Sequence, residues 1–158
     1  MSLKHRRNQE LGQALANYLL QAFRQQDWDI DFVIPIPLGT KRKKERGYNQ
    51  VDLLAAPFAM AAGIRAAENV LVRKHDTLPQ FELNAAERWK NLHGSFVADP
   101  TPLRGRDVLL LDDIMTTGAT LDSAAQALMD AGAGRIYGLT LARALFEDEG
   151  EFGKIGYT

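Results

Sequence analysis

No cysteine occurs in the 158 residues, which excludes disulfides and thiolate metal ligands and leaves no sign of an oxidising compartment. No apolar run approaches the roughly 20 residues that a membrane-spanning helix needs. The amino terminus likewise lacks the continuous apolar segment of a signal peptide. The expectation is a cytoplasmic protein with no membrane span. An excess of charge of either sign is missing too: 19 Lys and Arg against 20 Asp and Glu give a formal charge of -1. That balance makes no global electrostatic case for nucleic-acid binding, although a local basic patch can still contribute. Hydrophobic residues at 46% and charged residues at 25% exclude a disordered chain, a collagen and a coiled coil. The length suits a single domain over 1–158, with a core at 28–144 preceded by a helix at 9–27.

What is present alternates between helix and strand periodicity. Leu11, Leu15, Tyr18, Leu19, Ala22 and Phe23 recur at three- and four-residue spacing and predict an amphipathic helix with those residues inward. Phe32-Val33-Ile34-Pro35-Ile36-Pro37 predicts a short strand running into a constrained loop, because two prolines interrupt its donors. A basic run from Lys41 to Arg46 follows, then a helix from Asn49 to Ala62 and a short strand from Asn69 to Val72. Glu82 to Leu92 reads as a helical stretch or an ordered loop. In the second half, Val108-Leu109-Leu110-Leu111 is the continuous apolar run of a parallel strand covered on both faces. A helix is expected from Thr117 to Ala131, ended by Gly132 and Gly134, and a further strand from Ile136 to Leu141. Strand, tight loop, helix and strand make a βαβ unit, so the fold class is α/β, a doubly wound and mostly parallel sheet flanked by helices.

That apolar strand stops at Asp112 and Asp113, and Thr116-Thr117-Gly118-Ala119-Thr120 opens the next helix. Adjacent carboxylates at a strand end repel each other, so packing alone gives little reason for the pair. One acid, or Thr116 or Thr117, would serve as a helix cap; capping does not explain two acids. In an open α/β sheet the carboxyl ends of the strands face the ligand crevice. A helix N-terminus there offers backbone N–H groups, a favourable dipole and, here, hydroxyl donors to a phosphate. Acids that accept from vicinal hydroxyls or stand near Mg2+, next to a phosphate cup, fit a sugar phosphate. The spacing is neither that of a Walker loop nor that of a dinucleotide fingerprint.

The run from Val108 to Thr120 resembles, without a gap, the 5-phosphoribosyl 1-diphosphate signature of the type I phosphoribosyltransferases. The resemblance implies the type I phosphoribosyltransferase fold. It also implies that phosphoribosyl is held by Asp112, Asp113, Ile114, Met115, Thr116, Thr117, Gly118, Ala119 and Thr120. The two acids would take the ribose hydroxyls and support Mg2+ indirectly, and the Thr-Gly turn would take the 5-phosphate. In that family the diphosphate loop falls at Leu38, Gly39, Thr40 and Lys41, where the first strand ends in a cation-rich turn. Pro37-Leu38 and, between these motifs, Arg46-Gly47-Tyr48-Asn49-Gln50, then Arg73, Thr77, Gln80, Leu83, Arg88, Asn91 and Phe96 are similar to the ComF/GntX, competence protein F-like branch. Many proteins of that branch begin with a four-cysteine zinc module, which this cysteine-free sequence lacks, and Gly39-Thr40 stands where a bulkier residue and proline are common.

The activity so implied is displacement of diphosphate from the anomeric carbon of phosphoribosyl diphosphate by a nitrogenous base. Lys41, Arg73 and Arg88 would stabilise the leaving group, and Asp112 and Asp113 would stabilise positive charge on the ribose. A second expectation is of another kind: a non-catalytic or regulatory protein that supports DNA uptake or utilisation through the DNA-uptake machinery. In it Lys41 to Arg46, with Tyr48, would contact single-stranded DNA. The acceptor base has no legible motif.

Overall fold

The computed structural model describes residues 3–38, 49–74 and 94–143. Four parallel strands form the central sheet: β1 (Phe32–Pro35), β2 (Arg65–Ala66), β5 (Val108–Met115) and β6 (Ile136–Arg143), in the order β2-β1-β5-β6. A separate antiparallel pair joins β3 (Leu71–Arg73) to β4 (Phe96–Ala98). The helices are α1 (Leu3–Arg24), α2 (Gln50–Ala62) and α3 (Ala119–Asp130).

Side-chain alternation along the two central strands divides the core between the sheet's faces. Val33, Leu109 and Leu111 pack with Ala16, Leu19 and Leu20 of α1 and Val51, Leu54, Ala55 and Phe58 of α2. Ile34, Val108 and Leu110 pack on the other face with Ala124 and Leu128 of α3, Leu71 and Phe96 of the antiparallel pair, and Leu103. The four residues from Val108 to Leu111 are at most 1% exposed. Each such burial stabilises the fold by about 1.5–3 kcal/mol, which explains the uninterrupted apolar run.

The crossovers follow from the strand order. From β1 the chain passes through α2 to β2, away from β5; from β5 it passes through α3 to β6 in the opposite direction. Right-handed connections therefore place α2 and α3 on opposite faces, and the winding reverses between β1 and β5. The carboxyl ends of those two strands flank the reversal, where open α/β sheets hold ligands. Pairing of Pro35 with Leu111 and the hydrogen bond from Ile36 N to the Leu111 carbonyl (2.9 Å) fix the two ends side by side.

The doubly wound, mostly parallel sheet agrees with the sequence expectation, and several details correct it. Leu11 and Tyr18 of α1 are 58% and 66% exposed, because the buried stripe is turned to Gly12, Ala16, Leu19, Leu20 and Phe23. Gly12 is the reason: a Cβ there would lie 2.6 Å from the Leu53 carbonyl oxygen, so only glycine lets α1 approach the backbone of α2 this closely. The short strand expected from Asn69 starts two residues later, since Asn69 holds a left-handed φ of 66° that ends extended pairing. β2 and β4 were not anticipated, and β5 continues four residues beyond the apolar run to Met115. The expected element at Glu82 to Leu92 and the diphosphate-loop residues Gly39, Thr40 and Lys41 lie outside the described residues.

Candidate functional site

β5 carries its acids into the last paired part of the strand. Asp112 is in register with Thr140 of β6, and Ile114 and Met115 are in register with Ala142 and Arg143. Asp112 is buried at 9% exposure, Asp113 is half-buried and Ile114 is exposed. Alternation from Leu110 sends Asp112 to the face of α3. There it lines a shallow, open hollow together with Ile114, Met115, Thr116, Gly118, Thr120 and Leu121. Asp113 lies outside this lining, so the two carboxylates do not face the hollow together.

The carboxylates are held by the strand itself. Asp112 Oδ1 accepts from Asp113 N at 2.9 Å, and Asp113 Oδ1 accepts from Ile114 N at 2.8 Å. Neither acid caps α3. Gly118 occupies the cap position with φ 83° and makes no side-chain capping bond, while Thr117 Oγ1 accepts a longer bond from Ala119 N, 3.4 Å. Because φ at 118 is left-handed, a side chain there would strain the turn whatever the available space. Glycine thus lets the backbone swing from β5 into α3, whose first residues Thr120 and Leu121 line the hollow beside Gly118.

Burial pushes the Asp112 carboxyl up to about 6, and the neighbouring Asp113 carboxylate adds to the rise. Hydrogen bonding from Asp113 N and the positive charge of Arg73 act in the opposite direction. Arg73, at the end of β3, therefore belongs to the electrostatic surroundings of Asp112. Its guanidinium sits over the Phe96 ring, 5.4 Å from the centroid, an arrangement that holds the charged head over an apolar support. A ligand that brings hydroxyl donors or a cation to Asp112 would favour its ionised form.

Among the described residues there is no group of three or more His, Cys, Asp or Glu able to cage a metal. The donor set does suit Mg2+ in its commoner mode, in which one or two carboxylates and water are joined by oxygens of a phosphorylated substrate.

The remaining sequence-predicted residues divide. The structure brings Asp112, Ile114, Met115, Thr116, Gly118 and Thr120 together around the hollow, and places Arg73 in the field of Asp112. Thr117 and Ala119 lie in the same turn. Leu38 follows the end of β1, half-buried. Asn49 and Gln50 stand at the start of α2, where Asn49 is the buried N-cap. Lys41, Arg46, Gly47, Thr77, Gln80, Arg88 and Asn91 fall outside the described residues. Two participants were missed from the sequence. Leu121 lines the hollow although its spacing marks it as a core residue of α3. Asp52 holds the side chain of Asn49, and its signal was the Asn-x-x-Asp spacing of a helix start.

Comparison with known proteins gives the family and the fold. A family model described as a phosphoribosyl transferase domain matches residues 6–145. The DNA utilization protein YhgH of Salmonella typhimurium is 34% identical over 148 residues, covering 90% of this chain and 65% of that protein. Competence protein F of Haemophilus influenzae is 36% identical over 114 residues, covering 71% of this chain and 50% of that protein. The chain thus spans between half and two thirds of the length of these relatives. Adenine phosphoribosyltransferase from Saccharomyces cerevisiae superposes with a TM-score of 0.52 at 20% identity, over 87% of this chain and 68% of that one. At that identity the likeness is one of fold. No helix among the described residues is long and apolar enough to cross a membrane.

Proposed function

Since the chain belongs to the phosphoribosyl transferase domain family, in its competence protein F-like branch, we propose that the hollow beside Asp112 binds 5-phosphoribosyl 1-diphosphate with Mg2+ and that the protein transfers the phosphoribosyl group to or from a nitrogenous base. The observation that carries this reading is the meeting of a buried carboxylate with the glycine-opened N-terminus of α3 in one hollow. The first suits the ribose hydroxyls and the second the 5-phosphate. Mg2+, where bound, supplies charge neutralisation of the diphosphate.

The chain's own residues would act chiefly by electrostatics. Asp112 accepts from a ribose hydroxyl and, ionised, favours the positive charge that develops on the ribose as the bond to diphosphate breaks. Asp113 fixes the strand end and adds negative potential from its neighbouring position. Arg73 faces the opposite demand, stabilising the negative charge of the departing diphosphate. The displaced diphosphate takes the bonding electron pair, and the base nitrogen forms the new bond to the anomeric carbon.

Calorimetric titration with phosphoribosyl diphosphate and MgCl2 tests the donor site. Wild type should bind, and Asp112→Asn/Asp113→Asn should bind at least about 10-fold more weakly, from the loss of one charge-assisted contact at Asp112 and of the negative potential beside it; equal binding removes the assignment. A screen of nitrogenous bases for diphosphate release then tests transfer. The names of the relatives support a second, regulatory role in DNA uptake or utilisation. Binding of phosphoribosyl diphosphate without turnover of any base, together with salt-dependent single-stranded DNA binding lost in Lys43→Glu/Lys44→Glu, favours that role.

A further inference from the structure

Asn49 does more than a helix cap requires. A cap needs one acceptor for an N–H of the first turn, and Ser, Thr or Asp supplies it as well as Asn. Asn49 meets that need by accepting from Val51 N at 3.2 Å. It also uses its amide N–H groups: Nδ2 donates to the Ile36 carbonyl at 3.2 Å and to Asp52 Oδ1 at 2.8 Å. The residue is 5% exposed, so these bonds form away from competing water.

The position of Ile36 gives the extra bond its meaning. Ile36 is the first residue beyond β1, it precedes Pro37, and its own N–H donates to the Leu111 carbonyl, one residue before Asp112. Asn49 therefore ties the entry of α2 to the exit of β1, and through Ile36 to the strand that carries the buried acid. Asp52 acts on Asn49 in turn, since a carboxylate accepting one amide hydrogen aims the other at Ile36.

We infer that Asn49, oriented by Asp52, is a positioning residue for ligand binding at the β1–β5 strand ends: its amide sets the exit of β1 against Leu111 and Asp112. This rests on the phosphoribosyl reading of the hollow for the identity of the ligand, though not for the anchoring itself.

The exchange variant Asn49→Asp/Asp52→Asn isolates the bond to Ile36. Net charge is unchanged, the acceptor for Val51 N remains, and an amide–carboxylate pair remains between positions 49 and 52. The donor to the Ile36 carbonyl is lost and the carboxylate moves to the buried position 49, a charge that Asn49→Ser does not bring. Amide hydrogen exchange of the ligand-free protein should show the Ile36 N–H opening at least about fivefold more readily relative to Leu109–Leu111, the effect of one buried hydrogen bond. Affinity for phosphoribosyl diphosphate with MgCl2 should fall by at least about fivefold. Asp52→Asn alone keeps Asn49, its donor and a side-chain oxygen at 52 that still accepts from and orients the Asn49 amide, and should stay near wild type in both readouts. If the exchange variant fails to fold, Asn49→Ser, which keeps the cap acceptor alone, gives the same comparison. Wild-type exchange at Ile36 with wild-type affinity in the variant overturns the inference, as does an equal loss in Asp52→Asn. If wild type itself binds no phosphoribosyl diphosphate, the ligand assignment fails, and the Ile36 N–H still decides whether Asn49 anchors the strand end.

Discussion

Asp112 is placed at a cost to the fold. Its carboxyl is raised to about 6 by burial and by the Asp113 charge, whereas in an unfolded chain it ionises near pH 4. A group that holds its proton more tightly when folded opposes folding once ionised: the penalty is absent below about pH 4, grows between about 4 and 6, and is complete above 6. Asp112→Asn keeps an oxygen to accept from Asp113 N and removes the charge. Chemical denaturation should therefore find the variant more stable than wild type by about 1–2 kcal/mol at pH 7, allowing for partial screening, with the gain vanishing by pH 4. If the hollow takes phosphoribosyl diphosphate, wild type should gain affinity as pH rises through 6, and the same substitution should remove the part of that gain that comes from ionising Asp112. Together these two outcomes, a carboxylate whose charge weakens the fold while it strengthens ligand binding, would mark Asp112 as a site residue.

At the scale of the elements, α1 shows where a sequence pattern misleads. Leu11 and Tyr18 have helical spacing with Leu15 and Leu19, yet both are exposed. The choice of face is made by Gly12, whose lack of a side chain admits the Leu53 carbonyl, and no count of apolar residues registers a glycine as inward. Gly12→Ala should force the helices apart and cost about 1–3 kcal/mol in urea denaturation. The fold class should be kept, as judged by an unchanged far-ultraviolet circular dichroism spectrum. α2 was legible because its ends carry chemical markers: Asn49 caps it and Gly63 closes it with φ 72°. The acids and the Thr-Gly turn were legible for the same reason. β2 was not, because two exposed residues joined to β1 by parallel pairing carry no periodicity. The site was also legible only in outline. The residue types around the hollow were readable from 112 to 120, but the separation of Asp112 from Asp113 follows from strand alternation, and the bond from Asn49 to Ile36 from the folded path of the chain.

Across the whole molecule the two ends of the sheet do different work. At the carboxyl ends of β1 and β5 stand the hollow and its raised carboxyl. The opposite end is knitted by ion pairs and backbone bonds between strand starts. Arg106 Nη1 bonds Asp31 Oδ1 at 2.8 Å, and Asp31 Oδ2 accepts from Asp107 N at 2.9 Å. Asp107 in turn accepts from Arg135 N and Nε at 2.7 and 2.8 Å, joining the starts of β1, β5 and β6. Hydrogen bonds from the Arg135 guanidinium and backbone hold the Asp107 carboxyl below the usual carboxylate range. Its sign is therefore opposite to that of Asp112: it favours the fold above about pH 4, and the contribution is lost as pH falls through the lowered value. Asp107→Asn should accordingly unfold at a lower temperature than wild type at pH 7, with the gap closing in acid, while affinity for phosphoribosyl diphosphate per folded molecule stays unchanged. Melting curves of wild type, Asp107→Asn and Asp112→Asn between pH 3 and 7 check both signs in one series. Curves for the two variants displaced in the same direction at pH 7 would contradict the division of the sheet into an end whose carboxylates stabilise the fold and an end whose buried carboxyl opposes it.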